Sequence, residues 1–187
     1  MNLFDQGVLD KNNAGLRISE TQNQLFDKTK GLLFYYELVT NGMRVPHWHS
    51  NAKEIGTVLE GKMRVTIWDG VGKVKVFTVE KNGTWIIPKA KLHSLENVGT
   101  EKMKFLVAYD SPIAADRDFV TAWASLPDEI LARSVGLSVK DIENINPCNF
   151  VNTGVNPVTN ASCKESFKLR GDNSLKMPKD DILRILI

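Results

Sequence analysis

Cysteine and histidine are scarce in this chain, neither sign of charge is in excess, and no long apolar run occurs. Among 187 residues there are two cysteines and three histidines, with 24 Lys plus Arg against 22 Asp plus Glu. Two cysteines exclude a disulfide framework and a four-thiolate zinc site. A formal net charge of +2 with both signs interspersed leaves no concentrated basic face for nucleic acid or an anionic membrane, so a small-molecule partner is expected. No apolar run approaches the ~18 residues of a membrane helix, and Met1-Asn2-Leu3-Phe4-Asp5 lacks the basic and apolar regions of a secretory leader. Cytoplasmic location is the simpler expectation; export of a mature chain whose leader has been removed is the alternative. Cys148 and Cys163, joined, would stabilise a short loop by about 3 kcal/mol. With the glycosylation-type triplet Asn160-Ala161-Ser162 they point toward export, whereas two free thiols and a chance triplet do not.

What is present is organised unevenly. Residues 1–30 are polar and read as an irregular arm carrying anchors such as Leu3, Phe4, Ile18 and Leu25. From 32 to 109 the pattern changes to short runs rich in β-branched and aromatic residues at close spacing, which predicts an all-β barrel or sandwich and, with the short helices after it, a domain over 31–146. Strands are predicted near 32–39, 44–49, 54–60, 62–68, 74–80, 84–88, 92–97 and 103–109. Asn41-Gly42, Asp69-Gly70, Asn82-Gly83 and Val98-Gly99 are turn sites where positive φ costs little. Met63, Val65 and Ile67 alternate with polar residues, as in a half-buried antiparallel sheet. The segment 110–118 reads as a loop. A helix is expected after Ser125 as its cap, ending at Gly136, and a second from the Ser138/Asp141 pair to about Asn144. Residues 147–187 read as an irregular tail with an apolar ending at 180–187.

All three histidines, His47, His49 and His93, fall in the strand-rich part, and Glu54 follows His49 by five positions. Strand side chains alternate with period two, so His47 and His49 share a face while Trp48 points away. Glu54, across a turn at Ser50-Asn51, brings a carboxylate from the next strand, and barrel closure would bring His93 alongside. Three imidazoles and one carboxylate suit a divalent Mn, Fe, Ni, Cu or Zn ion, with two positions left over if it is six-coordinate. A single histidine is more often a satisfied polar residue than a ligand. The joint pattern is what favours a metal site.

These residues resemble the two motifs of the cupin superfamily. The first runs from Gly42 through His47-Trp48-His49 and Glu54 to Gly61, and the second from Gly83 through Pro88 to His93 and Asn97. Ala90 stands where the family usually has glycine, which implies a slightly different turn. Over roughly 32–136 the chain is similar to one domain of the bicupin oxalate decarboxylases, more to the second than to the first, through Arg44, His-Trp-His, Trp85-x-x-Pro88, Glu96-Asn97 and Trp123 with Leu126-Pro127. Germin-type oxalate oxidases are more distant relations. The resemblance implies a jelly-roll, or double-stranded β-helix, barrel with manganese bound by His47, His49, Glu54 and His93.

It also implies that Arg44 contacts a substrate carboxylate beside the metal and that Trp85 walls the pocket; the plainer readings are a solvated rim charge and core packing. Arg44 and His47 differ by three positions, so both face inward only if a bulge intervenes near Pro46. In the decarboxylases a lid loop carries a proton-donating glutamate. The comparable segment here has none, and Asp116 is its substitute. Three functions remain open: a manganese enzyme acting on oxalate or another small carboxylate, a different metal-dependent cupin reaction such as a dioxygenase or isomerase, and a non-catalytic ligand-binding cupin. Exposed edge strands and the arm favour a homo-oligomer.

Overall fold

The computed structural model describes residues 8–12, 15–19, 31–124 and 126–144. Cys148, Cys163, Asn160-Ala161-Ser162 and the ending at 180–187 lie outside the described residues. The strands are β1 (Val8–Asn12), β2 (Gly15–Ser19), β3 (Leu32–Leu38), β4 (Met43–His49), β5 (Glu54–Glu60), β6 (Lys62–Trp68), β7 (Val74–Glu80), β8 (Thr84–Ile87), β9 (Leu92–Asn97), β10 (Met103–Tyr109) and β11 (Asp116–Asp118). Three helices follow: α1 (Phe119–Ala124), α2 (Asp128–Val135) and α3 (Val139–Asn144). One sheet has the order β1-β2-β3-β10-β5-β8 and the other β11-β4-β9-β6-β7, and every pairing is antiparallel.

Period-two alternation decides what lies between the sheets. Along β10, Met103, Phe105, Val107 and Tyr109 are buried while the residues between them are half-buried. They meet Phe34, Tyr36 and Leu38 of β3 and Val58 of β5 in one core with Met63, Val65 and Leu95 of the opposite sheet. Each such side chain, fully buried, contributes about 1.5–3 kcal/mol. Tyr36 and Phe105 stack at 4.9 Å between ring centroids.

Turn chemistry follows the expected residues at three sites and not at the fourth. Asn41, Asn82 and Gly70 take positive φ. At Val98-Gly99 neither residue does. There Asn97 Oδ1 accepts the Gly99 N–H at 3.0 Å, and the Asn97 amide donates to the Leu38, Val39 and Glu101 carbonyls at 3.1, 3.0 and 2.8 Å.

Other expectations need correction. The arm holds a β1–β2 hairpin whose second strand pairs with β3 and so extends the larger sheet. Its alternation is too short to read alone, and besides the ladder within the hairpin its second strand is held by the edge of a sheet formed elsewhere in the chain. The segment 110–118, read as a loop, ends in β11, which pairs with β4. α2 starts at Asp128 with Pro127 at its cap position and no side-chain cap, while Ser125 lies outside the described residues. Asp128 and Glu129 in its first turn complement the helix dipole, and Gly136 closes it at φ 71°. Ser138 and Asp141 cap α3 reciprocally: the Ser138 N–H donates to Asp141 Oδ2 at 3.0 Å, and the Asp141 N–H donates to Ser138 Oγ at 3.2 Å. Among the described residues no helix is long and apolar enough to cross a membrane.

Candidate metal centre

β4 carries three of the site's side chains, and it can do so because it is irregular. Its pairing with β9 slips between Arg44 and His47: Arg44 lies opposite Leu95, and His47 opposite His93. Three steps on β4 therefore match two on β9, which is the extra residue of a bulge. Pro46, with no N–H to give the ladder, sits inside the slip. As a result Arg44, His47 and His49 are all buried, while Trp48 is half-buried on the other face.

His93 stands directly opposite His47 on the neighbouring strand, so the two rings meet without barrel closure, at 4.1 Å between centroids. Glu54 comes from the other sheet, as the first residue of β5. One ligand atom from each of His47, His49, Glu54 and His93 lies within 4.8 Å of the others, and all four residues are buried. Nitrogen and oxygen ligands about 2.1 Å from an ion stand at most about 4.2 Å apart, so the four form a cage slightly wider than a metal would draw them.

Hydrogen bonding supports that fit. Nδ1 of His47 donates to the Val45 carbonyl at 2.7 Å, and Nδ1 of His93 to the Lys91 carbonyl at 2.8 Å. A carbonyl only accepts, so in each neutral ring the lone pair is on Nε2. His93 Nε2 lies 3.2 Å from Glu54 Oε2, as does His49 Nε2. With its Nε2 lone pair, His93 faces the carboxylate as a second acceptor, an arrangement that a metal ion between them would satisfy; His49, whose buried Nδ1 has no partner, can instead donate its Nε2–H to Glu54. Burial, reinforced by the charge of Arg44 and the neighbouring imidazoles, holds His47 well below its ordinary value and keeps the imidazole neutral. Burial alone would raise Glu54, but the charge of His93 and hydrogen bonds from both imidazoles hold it well below the usual carboxylate range.

Trp85 is 2% exposed and lies behind the cage. Its indole N–H donates to Glu54 Oε1 at 2.9 Å, which orients the carboxylate. The Tyr109 hydroxyl is a longer donor to Glu54 Oε2 at 3.4 Å, and burial keeps that phenol protonated.

Arg44 is 1% exposed, with Nη1 donating to Asp118 Oδ1 at 2.7 Å and Nη2 bonded to Asp116 Oδ2. β11 provides both acids: Asp116 pairs with His49 and Asp118 with His47, so each faces the same side as its histidine. Asp118 and Tyr109 escaped the sequence reading. The acid-base-acid run Asp116-Arg117-Asp118 carries the signal for the first, since alternate residues of a strand share a face.

A family model described as Cupin matches residues 1–143. The chain belongs to the cupin family. This cupin is 33% identical over 106 residues to the probable germin-like protein subfamily 2 member 5 of Arabidopsis thaliana, covering 56% of this chain and 50% of that protein. It is 27% identical over 146 residues to the oxalate decarboxylase OxdC of Bacillus subtilis (strain 168), covering 76% of this chain and 37% of that one. It therefore spans about half the length of the germin-like relative and little more than a third of the decarboxylase. A solved oxalate decarboxylase of Bacillus subtilis superposes with TM-score 0.70 at 21% identity, covering 78% of this chain and 38% of that one. The formate complex of the Lactobacillus farciminis enzyme gives TM-score 0.70 at 20% identity over 76% of this chain and 42% of that one. At such identities the superpositions establish the shared fold.

Proposed function

We propose that this cupin is a metal-dependent enzyme acting on a small carboxylate, with manganese as its leading ion and oxalate as its leading substrate. The observation that carries the reading is a guanidinium, Arg44, buried beside the His47, His49, Glu54 and His93 cage. Bound there, a divalent ion would supply Lewis-acid polarisation of a carboxylate and, with Mn, access to one-electron chemistry. Fe, Ni, Cu and Zn suit the same donors.

The chain's own residues do the rest. The Arg44 fork suits a carboxylate in two-point contact and would stabilise negative charge developing on it. Trp85 serves as a positioning residue: it holds Glu54 from behind and closes the inner wall against water. Asp116, once released from Arg44, would be the group that moves a proton. Redox-neutral cleavage would yield formate and CO2, and O2-dependent oxidation would yield CO2 and peroxide. A soluble homo-oligomer acting on a free small molecule fits both.

A second reading is favoured by one observation. Arg44 is already bonded to two carboxylates, an arrangement that also suits a cupin that binds its ligand without turnover. The test is to load purified protein with Mn, supply oxalate, and follow formate, CO2 and peroxide beside a His47→Ala control. Formation of product that the control abolishes supports the enzyme. Equal product from both proteins, or none from wild type, rejects it. Metal analysis with a wider carboxylate and sugar screen would then separate a dioxygenase or isomerase from a ligand-binding cupin.

A further inference from the structure

Two acids from one three-residue strand occupy the only fully buried guanidinium among the described residues. Asp116 and Asp118 reach Arg44 from β11, an edge strand paired on one side only. The segment leading to it is held mainly by polar contacts. Asn51 Nδ2 donates to the Ile113 carbonyl at 2.6 Å, Asn51 Oδ1 accepts the Ala115 N–H at 2.8 Å, and the Ser50 N–H donates to the Ala115 carbonyl at 3.2 Å. Ile113 is 54% exposed, and Ala114 is the segment's one side chain packed on the barrel core. A strap with so little buried apolar surface opens at low cost, except for what becomes of Arg44. If β11 left with nothing in its place, a buried cation would stand unpaired, which is heavily disfavoured.

Charge decides what can take that place. Around the cage, Glu54, Asp116 and Asp118 are anionic and Arg44 is cationic. With a divalent ion in the cage the group is neutral while β11 is docked, and carries two positive charges once β11 has left. The two lid carboxylates thus bring the same charge as a small dicarboxylate dianion, and they bind the guanidinium in the way its carboxylates would. The Arg44 Nε–H, buried with no protein partner, offers a further donor. We infer that Asp116 and Asp118 are specificity-determining residues that keep Arg44 self-occupied, and that a small dicarboxylate dianion enters by exchanging with them. A neutral ligand does not replace the charge that β11 removes, and a monocarboxylate replaces half of it. The inference rests on the carboxylate reading above and extends it to Asp118 and to the charge of the ligand.

The experiment measures oxalate binding by calorimetry to the manganese-loaded protein, with hydrogen exchange of residues 110–119 followed in parallel and acetate as the monoanion control. In wild type, saturating oxalate should speed exchange across 110–118, and acetate should do so less. The Asp116→Asn/Asp118→Asn pair should show fast exchange without ligand and bind oxalate about tenfold more tightly or better, since two competing like charges are gone. If that pair fails to fold, Asp118→Asn alone should move both readouts in the same direction. Oxalate binding equally to wild type and variant, or binding wild type without altering exchange, overturns the exchange model and leaves the carboxylate reading standing. No oxalate binding to either metal-loaded protein removes both.

Discussion

The Trp85 indole N–H donates to Glu54 Oε1 at 2.9 Å, so a tryptophan in the core sets the direction of the one carboxylate in the candidate metal cage. Trp85→Phe retains most of the ring packing and deletes the donor. Losing such an outer partner typically weakens metal affinity about 10- to 100-fold, and the variant should fall in that range by competition against a chelator. An affinity equal to wild type would show that Glu54 is oriented by other contacts.

Gly56 lies opposite Trp85 in the β5–β8 ladder, and a Cβ there would fall 2.2 Å from the indole ring. Gly56→Ala must therefore push the ring away from Glu54. It should lower metal affinity in the same direction as Trp85→Phe and also cost stability, about 1–3 kcal/mol for overpacking. Urea unfolding of the metal-free protein reads the second effect separately from the first.

Asn97 ties the β9 end to three carbonyls and one N–H. Asn97→Ala leaves these groups without that partner, and a loss of about 2–3 kcal/mol is expected in urea unfolding. Metal stoichiometry of the folded fraction should stay unchanged, because Asn97 touches no ligand. A stoichiometric loss would mean that this turn controls the cage.

Ala90 has φ 61°, in the left-handed region, and its N–H donates to the His49 carbonyl at 2.9 Å. Glycine takes this region at little cost, and here alanine bears the strain. Ala90→Gly should stabilise by about 1 kcal/mol, the left-handed penalty less the added chain entropy of glycine. A thermal melt showing no gain would place the strain elsewhere.

Acid should weaken the metal-free protein from just below pH 6.5. Burial, then the charge of Arg44, holds His47 well under its ordinary 6.5, so as pH falls the unfolded chain takes up a proton that the folded one refuses. The unfolded state binds more protons there, and stability falls with pH. Glu54 adds a second loss lower down: its folded value is depressed below 4.5, so its contribution is present above 4.5 and disappears as pH drops through the folded value. Urea midpoints should be flat well above pH 6.5 and decline below it, with a shallower decline in His47→Gln. A flat profile down to about pH 5 would contradict the neutral buried imidazole.

Much of the site was legible because its residues carry local signals. The period of a strand puts His47 and His49 on one face, and the three-residue offset of Arg44 already demanded the bulge that appears at Pro46. β11 was only faintly legible: the acid-base-acid alternation of three polar residues is too short to mark a strand by itself, and the strand pairs along the edge of β4.

Alternation and turn residues determined the strands from 32 to 109, and donor chemistry determined the candidate ligands, since both depend on neighbours in the chain. Tertiary structure alone decided that His93 stands beside His47 in one sheet while Glu54 answers from the other. It also decided that Trp85 faces Glu54 and that Asp116 and Asp118 of β11 occupy Arg44. These relationships join residues 31 to 74 positions apart, and which ones meet depends on strand order and register, which the packing of the whole barrel sets.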